Sequence, residues 1–249
     1  MLRRALGIAR SLLMYHAIPG RHRRMVAFYE AFLGPGDVGF DVGAHVGSRV
    51  RAWRKLGARV VAIEPQPDLV RVLRAFFGRD PGVTLITDAV GARKGRARLG
   101  VSSATPTVSS MSPEWINSVT ADRRFAGVRW DRTVEVAVTT LDALIAEHGE
   151  PAFCKIDVEG FEAEVLAGLT QALRALSFEY LPAAHDDALA VLAAVDKLGG
   201  GRYRYNYSPV ETLTWASEQW LHAAELEALL DGVRPAGRSG DVYARLTRS

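Results

Sequence analysis

The strongest constraint on the fold is the regular alternation of short apolar runs with helical patterns after residue 37. This alternation is typical of βαβ units, which cover both faces of a parallel sheet with helices. We therefore expect an α/β fold with a doubly wound sheet. The predicted strands are residues 38–43, 59–64, 83–87, 153–157, 176–181, 202–207 and 241–246, and the predicted helices are residues 47–56, 67–78, 140–148, 161–176, 186–198 and 223–231.

The composition excludes several classes of protein. The chain has 249 residues, of which 48% are hydrophobic and 24% charged, as in a globular protein with a sizeable core. Its 31 basic and 28 acidic residues give a net charge of +3, so no single-sign field indicates a nucleic-acid partner. No apolar run reaches the roughly 18 residues that a membrane-spanning helix needs.

The chain contains one cysteine, Cys154, inside the apolar run AFCKID. A disulfide within the chain is therefore excluded, and the simplest expectation is a reducing compartment. We predict a cytoplasmic location on this basis. No histidine lies near Cys154 in the sequence, so a buried, unreactive thiol is a better interpretation than a nucleophile.

Residues 1–33 are predicted to form an amphipathic, basic helical extension, split into two helices at Pro19 and Gly20. The apolar run is interrupted by Arg10, so we predict no secretory signal. Two roles remain open for this segment: a cap docked on the sheet, or peripheral contact with an anionic membrane. The segment contains one acid, Glu30, and six arginines, namely Arg3, Arg4, Arg10, Arg21, Arg23 and Arg24.

The rest of the chain, residues 34–249, is expected to form one domain with a Ser/Thr-rich insertion at about 92–138. Within the insertion, residues 96–102, 105–112 and 133–138 have the pattern of short extended pieces. Insertions after a sheet strand commonly form part of a ligand-facing wall.

A glycine motif, FDVGAHVG, follows the first predicted strand. Gly43 permits a tight turn, and Gly47 permits the next helix to start close to the strand, where its free N–H groups favour an anionic group. The spacing is G-x-x-x-G, which lacks the third glycine of the dinucleotide fingerprint. A plain turn between a strand and a helix remains the alternative.

Two acids follow the next predicted strands. Glu64 lies 21 residues after Gly43 (64 − 43) and ends the second strand, where an acid can accept hydrogen bonds from ribose hydroxyls. Asp88, with the backbone N–H of Ala89, follows the third strand and can meet an adenine edge. Alternatively, Glu64 complements a helix N-terminus and Asp88 forms a turn before Gly91.

Three charged residues interrupt the fourth predicted strand and the turn after it: Lys155, Asp157 and Glu159. Charged groups are rarely buried without partners, so this strand end is expected to face a crevice or an ion-pair network. Lys155 and Asp157 are two residues apart and therefore share one face of the strand.

These motifs resemble those of the FkbM family of S-adenosylmethionine-dependent methyltransferases. The resemblance covers about residues 38–246, and its most specific part is KIDVEG after TLD. It implies a Rossmann-like methyltransferase sheet of seven strands with the last strand antiparallel, in a domain over residues 34–249. The matching segments, in the family's order, are FDVGAHVG, VVAIEPQPD, DAVG, VTTLDALI, KIDVEGFEAEVLAGL and GDVYAR.

The resemblance also implies how S-adenosylmethionine is held. Gly43 and Gly47 are expected near the methionine moiety, Glu64 on the ribose and Asp88 near the adenine. The other members of the predicted cofactor-binding set are Asp41, His45 and Ala89. His45 and Thr87 stand where the family often has asparagine.

The implied reaction is O-methylation of a small-molecule or glycan acceptor, such as a hydroxyl of a sugar or a secondary metabolite. A hydroxyl nucleophile benefits from a base that accepts its proton. The predicted catalytic set is Asp157, Lys155 and Glu159, with Asp157 as the first candidate base, and Glu179 and His45 as further candidates. In the alternative, Lys155 and Asp157 form an ion pair that only braces the strand.

Two other functional classes share parts of this pattern. An NAD(P)-dependent oxidoreductase has the acid at the strand end but a different glycine spacing. A non-catalytic binding protein on a degenerate cofactor fold would account for His45 and Thr87. The run His185, Asp186, Asp187 carries metal-ligand atoms, but its acids fit a helix start equally well, so we predict no metal.

Overall fold

The computed structural model describes residues 2–122, 125–210 and 212–247, with side chains from residue 4 onward. The strands in these ranges are β1 Val38–Val42, β2 Arg59–Ile63, β3 Val83–Ile86, β4 Ala89–Val90, β5 Gly95–Val101, β6 Arg132–Thr139, β7 Phe153–Ile156, β8 Ala175–Tyr180, β9 Tyr203–Pro209 and β10 Gly240–Leu246. The α-helices are α1 Leu2–His16, α2 Arg21–Tyr29, α3 Ser48–Lys55, α4 Pro67–Phe77, α5 Pro113–Thr120, α6 Leu141–His148, α7 Glu162–Ala167, α8 His185–Gly199 and α9 Ala223–Val233.

The main sheet has seven strands in the order β3-β2-β1-β7-β8-β10-β9. Neighbouring strands from β3 to β8 are parallel, whereas β10 is antiparallel to both β8 and β9. The predicted seven-stranded sheet with an antiparallel last strand is therefore confirmed. A smaller sheet, β4-β6-β5, comes from the insertion and the strand before it.

Helices cover both faces of the main sheet, as the predicted doubly wound fold requires. The alternation along β7 shows the two cores, because successive side chains of a strand point to opposite faces. Phe153 packs against Trp53 of α3 in one core, and Cys154 belongs to the other core together with Val165 and Leu192. Strand β1 is buried over its whole length, as expected for the centre of a parallel sheet.

The N-terminal helices pack on the domain in two different ways. Helix α2 is docked on α3 through its buried face, where the rings of Tyr29 and Trp53 are 5.4 Å apart. Helix α1 lies against the insertion at Gly7, and Arg4 of α1 hydrogen-bonds Asp68 of α4. The side chain of Arg3 lies outside the described residues. No helix in the described part of the chain is long and apolar enough to cross a membrane.

The insertion differs from its predicted extended pieces. Strands β5 and β6 pair as antiparallel neighbours, but the expected extended piece at 105–112 contains a 3₁₀ turn, Pro106–Val108. Helix α5 was not predicted. Its start has a clear signal, because the side chain of Ser112 accepts the N–H of Trp115 and Pro113 occupies the first helical turn.

The helix predicted over 161–176 is shorter in the structure, where α7 ends at Ala167. A Cβ atom on Gly168 would overlap the carbonyl oxygen of Gly91, so the chain leaves the helix at a close backbone contact. Leu169 and Leu173 in the following segment are buried but not helical. Because they are four residues apart, their pattern in the sequence resembles that of a helix.

Candidate active site

A cleft of about 1120 Å³, including its open mouth, lies at the carboxyl ends of β1, β2, β7 and β8. This is the point where the strand order reverses, with β1 between β2 and β7, and open α/β sheets bind their ligands there.

Gly43 forms part of the cleft wall at the end of β1. Its φ of 86° lies in the left-handed region, and its N–H donates to the carbonyl oxygen of Ile63 at 2.9 Å. A Cβ atom at this position would overlap the carbonyl oxygen of Asp157, at the end of β7. Glycine is therefore needed for the ends of β1 and β7 to meet.

Gly47 lies at the start of α3, in close contact with α4. It precedes α3 with a φ of 77°, and a Cβ atom there would overlap the side chains of Leu73 and Phe77 in α4. The residue therefore allows α3 to start close to α4. It is not part of the cleft wall, so its expected place near the methionine moiety stays a prediction.

Glu64 lies in the cleft wall directly after β2 and is only 3% exposed. Its carboxylate accepts the backbone N–H groups of His45 at 2.9 Å and of Gln66 at 2.8 Å. Burial raises the pKa of Glu64 to about 8, although these two hydrogen bonds act in the opposite direction. The carboxyl group is therefore protonated over much of the neutral range in the unliganded protein.

His45 lies between Glu64 and the N-terminal helix. It has a positive φ of 51°, and its ring meets that of Tyr15 edge-on at 5.2 Å. Burial lowers its pKa to about 4, so the ring is neutral at physiological pH. Within the described part of the chain its Nε2 atom is buried without a hydrogen-bond partner.

The remaining predicted cofactor residues have different environments. Ala89 is buried and lies in the cleft wall, whereas Asp88 is half-buried and lies outside it. Asp41 lies behind the wall with 1% exposure, and neither of its carboxylate oxygens has a hydrogen-bond partner among the described residues. Burial raises its pKa to about 6. The contacts of Ala89, Asp88 and Asp41 with a cofactor stay predictions.

Two cations and two carboxylates form an ion-pair network at the cleft, in which only Lys155 lies behind the wall. The fully buried Lys155 has its Nζ atom 2.7 Å from a carboxylate oxygen of Asp241 and 3.3 Å from one of Asp157. The guanidinium of Arg49 lies 3.6 Å from Asp157 and 3.9 Å from Asp241. Burial acts to raise the pKa of Asp157, but Lys155 and Arg49 outweigh it and hold that pKa below its usual range.

Of the three predicted catalytic residues, two line the cleft and one does not. Asp157 and Glu159 lie in the cleft wall, whereas Lys155 lies behind it. The predicted contact between Lys155 and Asp157 is present, but the shorter contact of Lys155 is with Asp241, which the sequence analysis did not include.

A cluster of three acids, Asp157, Glu159 and Glu179, lines one side of the cleft. Each has a carboxylate oxygen within 4.8 Å of the others, which is the geometry of a group that could hold a metal ion. Burial, followed by the mutual repulsion of the acids, raises the pKa values of Glu159 and Glu179 well above their usual range. Within this cluster Asp157 therefore loses its proton most readily, and the two glutamates keep theirs to higher pH.

Three site residues were missed by the sequence analysis: Tyr15, Arg49 and Asp241. Tyr15 comes from α1, and burial followed by the charge of Asp157 raises its pKa to about 12. Asp241 reaches the site because β10 runs antiparallel to β8, which places it beside Glu179. Asp241 lies within the segment GDVYAR, so its motif was visible but its partners were not.

The insertion forms a further wall of the cleft. Ser109 donates to the side-chain oxygen of Gln66 at 3.0 Å, and Gln66 donates to the carbonyl oxygen of Pro106 at 3.0 Å. Ser110 donates to the carbonyl oxygen of Glu159 at 2.6 Å. These bonds tie the insertion to the ends of β2 and β7.

Two other candidates have structural environments. Cys154 is fully buried, and burial raises the pKa of its thiol, which supports the predicted unreactive role. His185 is buried with its Nδ1 atom 3.0 Å from the Tyr180 hydroxyl and its Nε2 atom 3.1 Å from Asp231. Both ring nitrogens are therefore engaged within the protein.

The sequence is similar to those of known methyltransferases. The sequence profile of the family described as "Methyltransferase FkbM domain" matches residues 41–208. A curated relative, hexuronic acid methyltransferase AglP of Haloferax volcanii, is 32% identical over 146 residues, which are 57% of this chain and 54% of the relative. The chain thus spans about half the length of the curated relative that it matches.

Similar solved structures are more distant. A precorrin-6y C5,15-methyltransferase from Geobacter metallireducens is 14% identical with a TM-score of 0.42, covering 89% of this chain and 87% of that chain. A SAM-dependent O-methyltransferase from Thermotoga maritima is 10% identical with a TM-score of 0.44, covering 96% of this chain and 71% of that chain. Because the FkbM profile matches more than half of this sequence, the chain belongs to the family of FkbM methyltransferase domains.

Proposed function

We propose that the chain is an S-adenosylmethionine-dependent methyltransferase that acts on a hydroxyl of a sugar or a similar small molecule. One observation carries this proposal: the family match over residues 41–208 contains the strand ends that form the cleft, including those at Gly43, Glu64 and Asp157. The oxidoreductase and the non-catalytic binding protein have no comparable support.

The cleft suits an adenosyl cofactor at the ends of β1 and β2. Glu64 offers a buried carboxylate for ribose hydroxyls, and its two backbone hydrogen bonds hold that carboxylate in place. Gly43 leaves the wall free of a side chain. The proposed cofactor contacts are therefore with Gly43, Glu64 and Ala89, which line the cleft, whereas Asp41 and Gly47 do not line it.

Bound S-adenosylmethionine supplies a methyl group already activated by its sulfonium, so the chain's own residues have to position an acceptor hydroxyl and receive its proton. Asp157 is ionised and lines the cleft, so it can accept that proton. Lys155 and Arg49 hold the carboxylate in one orientation. The raised pKa values of Glu159 and Glu179 favour their protonated forms, which can both donate and accept hydrogen bonds, as sugar hydroxyls require.

The acceptor class comes from the site and from the curated relative. Five carboxyl groups, Tyr15 and Arg49 line the cleft, a composition suited to a polyhydroxylated acceptor. Since that relative is named for hexuronic acid, hexuronic acids are the first acceptors to test. Peripheral membrane contact through α1 and a cytoplasmic location are further parts of the proposal. The latter is supported by the single buried cysteine.

The test is a methyl-transfer assay with the full chain, methyl-labelled S-adenosylmethionine, and a panel of hexuronic acids and their glycosides beside neutral hexoses. We expect label in a hydroxyl of a sugar, together with binding of adenosylhomocysteine in calorimetry. Tight binding of NADH without binding of adenosylhomocysteine would overturn the proposal in favour of an oxidoreductase. Absence of binding by either ligand would indicate a non-catalytic protein.

A further inference from the structure

The exposed hydrophobic side chains of this protein are concentrated on one surface. Six large hydrophobic residues are well exposed in the described part of the chain, and five of them lie on α1, just after it, or on α4. We call these five the outer apolar surface: Leu6, Leu13, Met14, Ile18 and Phe76. Exposed apolar residues gathered in this way are typical of an interaction site.

Helix α1 presents its apolar side outward. Leu6 and Leu13 are 60% and 65% exposed and are seven residues apart, so they lie on the same side of the helix, with Arg10 between them. The opposite side is the packed one, where Ser11 is 2% exposed and Gly7 contacts the backbone of Ser103. A helix on a globular protein usually has its charged side toward water.

Helix α4 continues this surface. Arg4 hydrogen-bonds Asp68 near one end of the helix pair, and the rings of His16 and Phe76 are 5.8 Å apart near the other end. The two helices therefore lie side by side. Phe76 is 57% exposed, and Arg74, two residues before it, is exposed as well.

The helices of the outer apolar surface carry the exposed arginines Arg10, on α1, and Arg74, on α4. Residues 1–33 contain six arginines and one acid, Glu30, and Arg10, Arg23 and Arg24 are exposed. Apolar side chains bordered by arginines match the boundary of an anionic bilayer, where the apolar groups enter the acyl region and the arginines meet phosphates. At 15 residues α1 is too short to span a bilayer and would lie along its surface.

From these observations we infer that the outer apolar surface docks on the surface of an anionic lipid bilayer. Helix α1 also carries Tyr15, which lines the cleft from the inner side. Docking therefore places the wall of the cleft about one helix diameter, roughly 10 Å, from the bilayer. This inference deepens the membrane contact included in the proposed function, and its failure is distinguishable from a failure of methyl transfer, because lipid binding is measured without turnover.

The test is flotation of the full chain with vesicles of phosphatidylcholine alone and of phosphatidylcholine mixed with phosphatidylglycerol. We expect binding to the mixed vesicles only, and weakening as salt increases. The double variant Leu6→Gln, Leu13→Gln should lower the partition coefficient about tenfold or more. Arg10→Gln should lower it about fivefold, the equivalent of one arginine near an anionic surface.

Two control variants show whether a loss of lipid binding comes from lost docking, from unfolding or from the lower total charge of the protein. The double variant Leu6→Met, Leu13→Met keeps the apolar area and should bind like the parent, and Arg98→Gln removes an exposed charge from β5 and should also leave binding unchanged. All variants should melt within about 2 °C of the parent, since the substituted side chains are exposed.

Three results would overturn the inference. The first is equal binding to both kinds of vesicle, and the second is unchanged binding of the Leu6→Gln, Leu13→Gln variant. The third is a dimer in light scattering that the same variant dissociates, without vesicle binding by the parent. That result would assign the surface to a second copy of the chain.

Discussion

The backbones of Gly43 and Asp157 meet where β1 and β7 end, so closely that a Cβ atom on residue 43 would overlap the carbonyl oxygen of Asp157. Residue 43 belongs to the side of the cleft assigned to the cofactor, and residue 157 to the acceptor side. This backbone contact, together with the parallel pairing of β1 and β7, therefore holds the two halves of the proposed site close together.

Gly43→Ala is expected to disturb both halves at once. The positive φ costs about 1–2 kcal/mol for a residue with a side chain, and the overlap adds about 1–3 kcal/mol. Urea denaturation should show a loss of about 2–5 kcal/mol in the free energy of unfolding, together with weaker binding of adenosylhomocysteine.

The matched control for Gly43 is Gly232→Ala in α9, where a Cβ atom would meet open space. That change should stabilise the protein by about 0.5–1 kcal/mol, because glycine is a poor residue inside a helix. Equal stability of the two variants would show that the Gly43 contact is not needed.

Glu64 is expected to make the unliganded protein less stable as pH rises. In the folded state its carboxyl keeps its proton up to about pH 8, whereas its ordinary pKa is 4.5. Between these values the folded state binds more protons than the unfolded state, so the free energy of unfolding falls with rising pH. The stability that the Glu64 carboxyl group contributes is fully present below pH 4.5 and is lost above about pH 8. Denaturation of the parent and Glu64→Gln from pH 5 to 9 should therefore give different slopes.

The same carboxyl gives a test of cofactor contact. Ribose hydroxyls that donate to the carboxylate favour its ionised form, so adenosylhomocysteine binding at pH 7 should release protons, which calorimetry in two buffers measures. Glu64→Gln should abolish this release and weaken binding by about 1.5–3 kcal/mol. Glu147→Gln, at an exposed side chain of α6, is the control. Identical proton release by the parent, Glu64→Gln and Glu147→Gln would contradict the assignment of Glu64 to the ribose.

The sequence predicted the sheet well because its signal is local. Each strand of the main sheet is a short apolar run, and turns with glycine, such as that at Gly43, follow in the expected places. Helix α7 was overestimated because Leu169 and Leu173 are buried in a nonhelical segment, and the spacing of apolar residues does not distinguish the two cases.

The site was predicted only in part because its remaining contacts join distant segments. Asp241 follows Lys155 by 86 residues, and only the antiparallel pairing of β10 brings them together. Tyr15 reaches the cleft because α1 packs beside α4, a tertiary contact without a local pattern. A position at the cleft could be predicted for Asp157 and Glu64, because acids that directly follow buried strands stand out in an α/β sequence.

Tyr15→Phe is expected to affect the acceptor and not the cofactor. The pKa of about 12 keeps the hydroxyl protonated, so it can donate a hydrogen bond into the cleft near Asp157. Its removal should raise the KM for the acceptor about 2- to 10-fold, the usual worth of one neutral hydrogen bond. Adenosylhomocysteine affinity should not change.

Tyr203→Phe is the matched control for Tyr15, since the Tyr203 hydroxyl donates to the carbonyl oxygen of Leu173 away from the cleft. It should lower stability by about 1 kcal/mol without changing KM. A loss of adenosylhomocysteine affinity in Tyr15→Phe, with an unchanged KM, would assign Tyr15 to the cofactor side.

Asp157 and Asp241 share Lys155, and their asparagine variants are expected to separate catalysis from bracing. Lys155 has its shorter contact with Asp241, at 2.7 Å, so Asp241→Asn leaves a buried cation poorly compensated and should cost about 3–5 kcal/mol in the free energy of unfolding. Asp157→Asn keeps that contact and should lower turnover about two to four orders of magnitude, with a smaller loss of stability. Turnover per folded molecule and urea denaturation measure the two effects. Retained turnover in Asp157→Asn would make this residue a brace and move the base to Glu159 or Glu179.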